Sequence, residues 1–334
     1  MSFFVIRPGF STTIQSSART GFREYGVPLS GAADMVSFQL ANILCGNPPT
    51  MPVLEITSHG AEFLLEADAL ISCCGGGSLP MVNGWPIEMG RPVWVTTSSI
   101  LSFAPSRRGF RSYLALAGGF TSRHQLESSS TYTPAALGGF GGRVLHAGDR
   151  LSWNDSIGFV SQAIVKSLSS KLVNGFAISS WGASFFLQTA SSVGVIRILE
   201  GPEWDWFIQN TDMSFLSQRF IVSDRSNRMG YRLKGLEIES LEKKEMISSA
   251  VCPGTIQISH DGMPILLMAD AQTTGGYPRI VQVCAADLPF CAQLRPGDAV
   301  VFEKIQMAQA EALFLQQQRG LRRLETAVSL RFNQ

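Results

Sequence analysis

The sequence predicts a mainly β protein that is organised as two barrels or sandwiches. Its first half consists of short runs rich in β-branched and aromatic residues, such as "AEFLLEAD", "ALISCCGGG" and "PVWVTTSSILSFA", which Gly, Pro, Asn and Asp residues separate. A second β-rich stretch begins at "VGVIRILEGPEW" and continues to "LRPGDAVVFEKI". Because helical patterns do not alternate with these runs, βαβ units are disfavoured and an antiparallel barrel or sandwich is favoured.

The composition disfavours several functional classes. Of the 334 residues, 45% are hydrophobic and 16% are charged, so the chain has enough apolar surface to build folded cores. The formal net charge is only +1 and no dense basic cluster is present, so binding to nucleic acid or to an anionic membrane is disfavoured. We find neither an apolar run long enough to span a bilayer nor a signal-peptide pattern, and we therefore expect a cytoplasmic protein.

The cysteines and histidines do not indicate a metal centre. The six cysteines form no C-x-x-C pair, and the four histidines show neither H-x-H nor H-x-x-x-H spacing. We therefore expect buried, reduced thiols and no metal site.

The two β-rich stretches divide the chain into four predicted parts. These are an N-terminal β-barrel domain at 1–155, a connector of uncertain structure at 156–190, a C-terminal β-barrel domain at 191–304 and a helical tail at 305–334. Each β-rich half ends in a Gly-Asp turn before its last strand, at Gly148-Asp149 and at Gly297-Asp298. This repetition suggests, weakly, a duplicated architecture.

A few local signals define turns and helices within this plan. Asn83-Gly84, between two strand-like runs, predicts a tight β-hairpin. In "PLSGAADMVSFQLANILCGN" the spacing predicts a helix of about three turns, with Ser30 as its N-cap, Asp34 in its first turn and Gly46 at its end. The tail is predicted to form an amphipathic helix that is interrupted at Gly320. Its apolar positions are Ala310, Leu313, Phe314, Leu321 and Leu324.

The stretch "DAQTTGGYPRI" concentrates hydrogen-bonding groups between two apolar runs. Gly275 and Gly276 permit positive φ and a close backbone approach, and polar side chains flank them. The candidate residues of this stretch are Asp270, Gln272, Thr273, Thr274, Gly275, Gly276 and Tyr277. Two interpretations remain open: a tight corner whose polar groups satisfy one another, or the edge of a pocket for a small polar ligand.

A second polar stretch, "DRSNRMGYRLKG", contains three arginines. Arginine binds carboxylate or phosphate through two parallel hydrogen bonds, so this density favours an anion site over an exposed, salt-bridged loop. The candidate residues here are Asn227, Arg228, Tyr231 and Arg232.

A third candidate is the turn at Ser30-Gly31, which leads into the predicted helix. The amino terminus of a helix offers free backbone N–H groups to an oxyanion, although ordinary capping by Ser30 is the commoner event. The chain lacks both a G-x-x-x-x-G-K-[ST] phosphate loop and a G-x-S-x-G nucleophile motif. Any ATP-dependent chemistry would therefore need a partner.

Together, these segments resemble the urea amidolyase/5-oxoprolinase family, also called the biotin-dependent carboxyltransferase-like or allophanate hydrolase subunit 2 family. The resemblance runs through "TTIQ", "GVPLSGAAD", "ANILCGN", "VLEIT", "RSYLALAGG", "SNRMGYRLKG", "PGTIQI", "DAQTTGGYPRI" and "AQLRPGD". It covers nearly the whole chain except the connector and the tail. The chain length and "LEGPEWDWF" are most similar to the bacterial 5-oxoprolinase branch.

The resemblance implies a fold, a reaction and partners. The fold is two cyclophilin-like β-barrel domains with a few short helices and a C-terminal helix. The reaction is the ATP-dependent hydrolysis of 5-oxo-L-proline to L-glutamate by a complex with 5-oxoprolinase subunits A and B. The second of these two, the direct partner, is related to the kinase-inhibitor proteins of sporulating bacteria. ATP would be bound through a partner, with no covalently bound biotin. Alternatives are carboxyl transfer from carboxybiotin to urea or a related amide, and non-catalytic regulation of a histidine-kinase inhibitor.

On this basis we expect Asp270 or Asp34 to act as acid or base. Arg228 and Arg232 would hold the substrate carboxylate or a phosphorylated intermediate, and the segment from Gln272 to Gly276 would orient the amide. Tyr277 would line the pocket. Ser30, Gly31, Asn227 and Tyr231 complete the predicted substrate-binding residues.

The chain departs from the family pattern in two places. After "TTIQ" most relatives have Asp, a variable residue and then Gly-Arg, whereas this chain has Ser16 and Ala18 before Arg19. Glu127 replaces a glycine in "ESSST". Loss of the Asp would weaken activity if it is a base or a clamp for Arg19, but Ser16 could substitute if the Asp only braces a turn.

Overall fold

The computed structural model describes residues 2–183, 193–207, 215–239 and 246–332. The chain forms two compact units. The first unit comprises Met1–Ala18, Asp34–Leu187 and Arg319–Gln334, and the second comprises Arg19–Ala33 and Gln188–Gln318. Each unit is assembled from separate stretches of sequence, whereas the division into four parts given above is contiguous. That contiguous division remains a prediction.

The first unit contains two six-stranded antiparallel sheets within the described residues. Its strands are β1 Ser2–Pro8, β2 Ser11–Gln15, β3 Val53–Thr57, β4 Ala61–Leu65, β5 Ala69–Gly75, β6 Ser78–Val82, β7 Trp85–Pro86, β8 Pro92–Val95, β9 Ile100–Pro105, β10 Arg111–Leu116, β11 Arg150–Ser152 and β12 Phe176–Ile178. Sheet 1 has the order β11-β1-β4-β9-β6-β7, and sheet 2 has the order β12-β8-β5-β10-β3-β2.

The two sheets enclose one hydrophobic core. Phe3 and Phe63 of sheet 1 pack edge to face with ring centroids 6.1 Å apart. Ile14, Leu54 and Leu114 of sheet 2 belong to the same buried cluster. They lie opposite one another on adjacent strands, so their side chains point to the same face. Because side chains alternate along a strand, the intervening residues of sheet 2, such as Glu55 and Leu70, point to its opposite face.

The predicted hairpin at Asn83-Gly84 is confirmed. Asn83 has φ 51° and Gly84 has φ 81°, the two left-handed conformations that a type I′ turn requires. The turn joins β6 to β7 and pairs Val82 with Trp85.

The predicted helix after residue 30 is confirmed as α1, Met35–Leu44, but its predicted cap was wrong. Asp34 is the N-cap, because its carboxylate accepts a hydrogen bond from the backbone N–H of Ser37 at 2.9 Å. Ser30 lies four residues further upstream, too early in the chain to reach the first turn. At the other end, Gly46 has φ 73° and its N–H donates to the carbonyl of Ile43, as predicted for a helix end.

The described part of the predicted connector has regular structure. It contains α2, Phe159–Leu168, and β12, which pairs antiparallel with β8 at the edge of sheet 2. Ile164 and Leu168 of α2 pack with Leu70 and Ala117 in a second buried cluster of the first unit. Residues 184–192 of the connector lie outside the described residues.

The second unit contains a closed seven-stranded barrel. In barrel order its strands are β13 Gly194–Glu200, β20 Arg279–Val283, β17 Thr255–Ile258, β18 Pro264–Leu267, β15 Gly230–Lys234, β14 Phe220–Val222 and β21 Ala299–Lys304. A separate two-stranded ribbon pairs β16, Ser249–Ala250, with β19, Thr274–Gly275. α3 spans Leu288–Gln293. In both units the described 3₁₀ helices are Arg23–Tyr25, Thr133–Ala135, Ser169–Lys171, Trp204–Phe207 and Ala285–Asp287.

Aromatic side chains fill the barrel. Phe215 stacks on Phe302 with ring centroids 4.7 Å apart, and both rings contact Phe220. Tyr231, on β15, is only 1% exposed and belongs to the same buried cluster. The mainly β fold, the barrel and the C-terminal helix are therefore confirmed, and none of the described helices is long and apolar enough to cross a lipid bilayer.

The C-terminal helix, α4, is continuous from Met307 to Phe332, so the predicted interruption at Gly320 was wrong. A glycine inside a helix costs about 1 kcal/mol relative to alanine, which its helix-forming neighbours and tertiary packing can offset. Ala310 packs in a buried cluster of the second unit, and Leu321 packs in one of the first. Phe314, which was predicted on the apolar face, is 41% exposed.

The two Gly-Asp turns share one hydrogen-bonding scheme. In Gly148-Asp149 and in Gly297-Asp298 the glycine has φ 91°. Each aspartate accepts a hydrogen bond from the backbone N–H three residues earlier, from His146 at 2.7 Å and from Arg295 at 2.8 Å. The same turn structure therefore precedes β11, the last strand of sheet 1 in sequence, and β21, the last strand of the barrel in sequence.

Candidate functional site

An arginine–carboxylate pair forms the centre of the candidate site, in the second unit. Arg228 donates from Nε to Asp270 Oδ2 at 2.7 Å and from Nη2 to Oδ1 at 3.0 Å, which is a bidentate arrangement. The backbone N–H of Asp270 donates to the carbonyl of Arg228 at 2.9 Å. Asp270 is only 5% exposed, so a largely desolvated ion pair fixes both side chains.

The loop of residues 19–33 belongs to the same unit and reaches this pair. Arg228 Nη2 also donates to the carbonyl of Gly31 at 2.7 Å. The backbone N–H of Ser30 donates to the carbonyl of Ala269 at 2.9 Å, next to Asp270. The structure thus brings together residues of all three polar segments that the sequence singled out.

Arg19 is a further charged group of this cluster. Its side chain is fully buried. Burial lowers the pKa of the Arg19 guanidinium, and the nearby Asp270 carboxylate opposes that change. Two guanidinium groups and one carboxylate therefore lie in a poorly solvated environment, where electrostatic interactions are stronger than in water.

Ser30 has an energetically unfavourable conformation. Its φ is 51°, in the left-handed region, and its side chain is 4% exposed. The hydroxyl has no hydrogen-bond partner among the described residues. A non-glycine residue in this region costs about 1–2 kcal/mol, and an unsatisfied buried polar group costs about 1–3 kcal/mol. Such costs are typical of positions that function, rather than stability, maintains.

The segment from Gln272 to Tyr277 forms one edge of the two-stranded ribbon. A Cβ at Gly275 would lie 2.6 Å from Nε2 of Gln257, so a larger residue there would displace the Gln257 amide. That same Nε2 donates to the carbonyl of Tyr277 at 2.9 Å. Gln272, Thr274 and Gly276 are exposed, whereas Thr273 is half-buried. The ribbon therefore combines a fixed backbone with exposed polar side chains.

Two arginines anchor the ribbon. Arg279 donates from Nε and Nη2 to the Glu203 carboxylate at 2.9 and 2.6 Å, and from Nη1 to the carbonyl of Ala250 at 3.0 Å. The Arg23 guanidinium donates to the carbonyl of Val251. The ribbon position is therefore fixed by charge-assisted hydrogen bonds as well as by its own pairing.

The other predicted residues occupy different environments. Asn227 is exposed, and its Oδ1 accepts a hydrogen bond from the backbone of Met229 at 2.8 Å, which braces the turn before β15. Arg232 is exposed on β15, whereas Tyr231 lies in the barrel core. Tyr277 is half-buried and packs edge to face on His260, with ring centroids 5.1 Å apart.

Asp34 belongs to a fully buried network in the first unit. Its Oδ1 accepts from the backbone N–H of Ser37 at 2.9 Å, and its Oδ2 accepts from the Ser37 hydroxyl at 2.6 Å. Its own N–H donates to the Tyr113 hydroxyl at 2.8 Å, and that hydroxyl donates to Glu55 Oε2 at 2.9 Å. Arg111 Nε lies 3.5 Å from Glu55 Oε1. The N–H and both carboxylate oxygens of Asp34 are thus hydrogen-bonded at the start of α1.

Three residues of the cluster were not among the predicted site residues. In the sequence analysis Arg19 was noted only as part of the family pattern. Arg279 occurred only within the stretch "DAQTTGGYPRI", and Glu203 occurred only within "LEGPEWDWF". A single sequence does not reveal which distant carboxylate an arginine contacts. The only feature of the sequence that pointed to these residues was the high density of arginines in and near the predicted segments.

The two departures from the family pattern differ in their local structure, and no contact in the described residues explains the glutamate at position 127. The backbone N–H of Ser16 donates to Ser130 Oγ at 2.9 Å, and the Ser16 hydroxyl accepts from the backbone N–H of Ser129 at 3.1 Å. Ser16 therefore braces a loop of the first unit. Glu127 has φ 58°, a conformation that favours glycine.

The described residues contain no group of three or more His, Cys, Asp or Glu side chains placed to hold a metal ion. The cluster chemistry is instead that of guanidinium, carboxylate, hydroxyl and backbone groups. Such groups orient and stabilise small anionic or amide-containing molecules.

Comparison with solved structures assigns the chain to a class of β protein. The crystal structure of the Kluyveromyces lactis urea amidolyase matches with a TM-score of 0.83 and 29% sequence identity, over 97% of this chain and 20% of that one. The chain thus has the fold of a segment that makes up 20% of that longer chain.

Sequence comparison identifies the family. The model of the carboxyltransferase domain, subdomain A and B, matches residues 25–304, and the chain belongs to that family. It is 34% identical to the C subunit of 5-oxoprolinase from Escherichia coli (strain K12) over 96% of each chain. It is 29% identical to the urea amidolyase of Lachancea kluyveri over 97% of this chain, but over only 18% of that protein.

Proposed function

We propose that this chain is a subunit of an ATP-dependent 5-oxoprolinase complex, which opens 5-oxo-L-proline to L-glutamate. The observation that carries the proposal is the match to the C subunit of the Escherichia coli 5-oxoprolinase, which covers 96% of both chains. The match to urea amidolyase covers 18% of that protein, so the chain corresponds to a whole subunit in the first case and to a segment in the second.

The chemistry of the substrate explains why such a complex needs several subunits. The lactam carbonyl of 5-oxoproline is resonance-stabilised, so it must be activated, for example by phosphorylation, before water attacks. No phosphate-binding loop of the G-x-x-x-x-G-K-[ST] type occurs in this sequence. In the proposed complex the partners are 5-oxoprolinase subunits A and B, of which the second is the direct partner, and ATP binds through a partner.

The arginine–carboxylate cluster suits the binding of such a substrate. Arg228 is held at its Nε and Nη2 by Asp270 and Gly31, which fixes the guanidinium for an anionic group of the substrate or intermediate. The buried hydroxyl of Ser30 would supply one further hydrogen bond, and its strained conformation would then be offset by binding. Asp270, rather than Asp34, is the proposed acid or base of the site.

The ribbon and Arg232 supply the remaining proposed contacts. Arg232 would bind the substrate carboxylate or a phosphorylated intermediate together with Arg228. Gln272, Thr273, Thr274 and the backbone of Gly275-Gly276 would orient the amide, and the anchoring of the ribbon by Arg279 limits the entropy lost when they do so. Asn227 would hold the turn that positions Arg228.

Carboxyl transfer from carboxybiotin to urea or a related amide is the second candidate. The observation that favours it is the TM-score of 0.83 against a urea amidolyase over 97% of this chain. In that case separate proteins would supply the biotin carrier and the carboxylase.

Reconstitution with partner subunits separates the two candidates. The chain is co-expressed with 5-oxoprolinase subunits A and B, and L-glutamate is measured after addition of 5-oxo-L-proline and ATP. The same preparation receives urea together with a carboxylated biotin carrier. Glutamate formation that requires both ATP and this chain supports the first candidate. Carboxylated urea without glutamate from the assembled complex would establish the second.

A further inference from the structure

We propose that Arg23 is a positioning residue of the candidate site, because it links the ribbon to the loop of residues 19–33, which carries Ser30. The Arg23 guanidinium donates a hydrogen bond to the carbonyl of Val251. The backbone N–H of Val251 in turn donates to the carbonyl of Thr273 at 3.1 Å. Thr273 is one of the residues proposed to orient the substrate amide, so this inference rests on the proposed function.

The carboxyl end of the same loop reaches the arginine–carboxylate pair. The backbone N–H of Ser30 donates to the carbonyl of Ala269 at 2.9 Å. The carbonyl of Gly31 accepts from Nη2 of Arg228 at 2.7 Å. One loop therefore contacts both groups that would bind the substrate: the ribbon, and the pair formed by Arg228 and Asp270.

The backbone of the loop is closed on itself. The N–H of Arg19 donates to the carbonyl of Leu29 at 2.6 Å, which brings the two ends of the segment together as in an Ω-loop. At its tip, the N–H of Gly26 donates to the carbonyl of Arg23 at 3.0 Å and closes the 3₁₀ helix there. Because the segment is short and closed, a displacement at Arg23 should also displace Ser30, the residue after Leu29.

The tip of the loop is open to solvent. The 3₁₀ helix Arg23–Tyr25 has no buried residue, and Tyr25 is 74% exposed. Gly21 and Gly26 flank it with φ 87° and 77°, and the space beside both glycines is open. Segments with little buried apolar surface open readily, so the position of the tip depends on the charge-assisted hydrogen bond from Arg23.

Two arginines hold consecutive carbonyls at the end of β16, but they belong to different elements. Nη1 of Arg279, on the barrel strand β20, donates to the carbonyl of Ala250 at 3.0 Å. Arg23 donates to the next carbonyl, that of Val251, from the loop. The first contact fixes the ribbon to the barrel, whereas the second fixes it to the loop that carries Ser30. Arg23 is therefore the residue placed to couple the ribbon to the arginine–carboxylate pair.

Hydrogen–deuterium exchange of the full chain tests this coupling without substrate. Exchange is followed by mass spectrometry in wild type, Arg23→Met and Glu24→Gln, in peptides that contain the N–H of Ser30 or of Val251. Arg23→Met should exchange about tenfold faster at both N–H groups, because the loop and the ribbon lose their shared contact. Glu24→Gln changes an exposed neighbour in the same 3₁₀ helix and should exchange at the wild-type rate.

Two results of this experiment would overturn the proposal. Unchanged exchange at Ser30 in Arg23→Met would do so whether or not Val251 exchanges faster, because Arg23 would then hold the ribbon alone. Arg23→Met should also melt close to the wild-type temperature, since the 3₁₀ helix buries no residue. An unfolded Arg23→Met would give Arg23 a general structural role instead.

Kinetics of the assembled complex test whether the coupling matters for the substrate. A loosened ribbon must be ordered when the substrate binds, so Arg23→Met should raise KM for 5-oxo-L-proline by about tenfold and leave kcat within about threefold of wild type. Arg23→Lys can still donate to the Val251 carbonyl and should restore KM to within about threefold. A loss of kcat at unchanged KM, or a raised KM that Arg23→Lys does not lower, would overturn the positioning role.

The outcome is separable from that of the proposed function. An assembled complex that forms no glutamate from 5-oxoproline contradicts the proposed function, and the exchange rates at Ser30 and Val251 still decide whether Arg23 couples the loop to the ribbon. A complex that forms glutamate with the same KM in wild type and in Arg23→Met contradicts this proposal alone.

Discussion

Asp34 and Asp270 are both buried carboxylates, but their partners differ. Asp34, in the first unit, accepts hydrogen bonds from the backbone and hydroxyl of Ser37 and caps α1. Asp270, in the second unit, is paired with Arg228, whose guanidinium also holds the loop carbonyl of Gly31. Burial alone therefore does not distinguish Asp34, which caps a helix, from Asp270, the proposed acid or base.

The two carboxylates differ in whether the polar groups around them all have hydrogen-bond partners. The network around Asp34 connects a helix terminus, a hydroxyl and a second carboxylate in the interior of the first unit, which is typical of a structural role. The cluster around Asp270 lies beside Ser30, a strained residue whose buried hydroxyl has no partner in the described part of the chain. In the proposed function, the strain and the unsatisfied hydroxyl at Ser30 would mark the Asp270 cluster as the one that binds a ligand.

The largest effect is expected from Arg228→Ala. This change removes the guanidinium that holds Asp270 and Gly31, and it should reduce ATP-dependent glutamate formation by at least about a thousandfold. Arg225→Ala is the matched control, because Arg225 is an exposed arginine of the same segment. Its rate should remain within about threefold of wild type. Equal rates in the two variants would show that the pair has no role in turnover.

The second-largest effect is expected on stability, from a substitution in the first unit. Tyr113→Phe removes the hydroxyl that joins the Asp34 N–H to Glu55, and it leaves two buried groups without that partner. The free energy of unfolding, measured by urea titration, should fall by about 1–3 kcal/mol. Turnover by the folded variant should stay close to wild type. A large loss of turnover at full stability would give this network a functional role.

The ribbon anchor should make stability depend on pH. Burial raises the pKa of Glu203, but hydrogen bonds from the side chain and backbone of Arg279 outweigh it, and the pKa lies below its ordinary value of 4.5. The pair therefore contributes stability above about pH 4.5, and this contribution is lost as the pH falls through the lowered pKa. Thermal melts from pH 6 to pH 3 should show a shallower decline for Glu203→Gln than for wild type. Parallel declines would exclude this linkage.

The smallest effect is a gain in stability. Glu127 has φ 58°, so Glu127→Gly relieves a left-handed conformation and should raise the free energy of unfolding by about 0.5–1 kcal/mol. Asn83→Gly provides a comparison, because asparagine tolerates the left-handed region and donates here to Ser99 and Asn174. That change should be destabilising. A loss of stability in Glu127→Gly would show that the Glu127 side chain makes a compensating contact.

Local signals predicted the elements whose geometry is fixed within a few residues. The Asn83-Gly84 hairpin, α1 and its end at Gly46 follow from backbone preferences that neighbours do not override. The helix cap was wrong because Ser30 and Asp34 both suit that position, and only the fold places Asp34 beside Ser37. The helix continues through Gly320 because packing outweighs a penalty of about 1 kcal/mol.

The sequence predicted which residue types form the candidate site, but it did not predict which of those residues pair with one another. The polar segments around Arg228 and Asp270 were identified from residue types, and the structure joins them with the loop at Ser30. Pairs such as Glu203 with Arg279 bridge 76 positions of sequence, which a single sequence does not specify. The strained backbone and the unsatisfied hydroxyl of Ser30 are properties of the three-dimensional structure.

The most direct test compares the two acids in one assay. Asp270→Asn and Asp34→Asn are each assembled with the partner subunits, and ATP-dependent glutamate release from 5-oxoproline is measured alongside the melting temperature. We expect Asp270→Asn to lose nearly all turnover while the complex remains folded, and Asp34→Asn, in which the amide oxygen can still cap α1, to retain it. Full turnover in Asp270→Asn, or loss of turnover in a folded Asp34→Asn, would contradict this account.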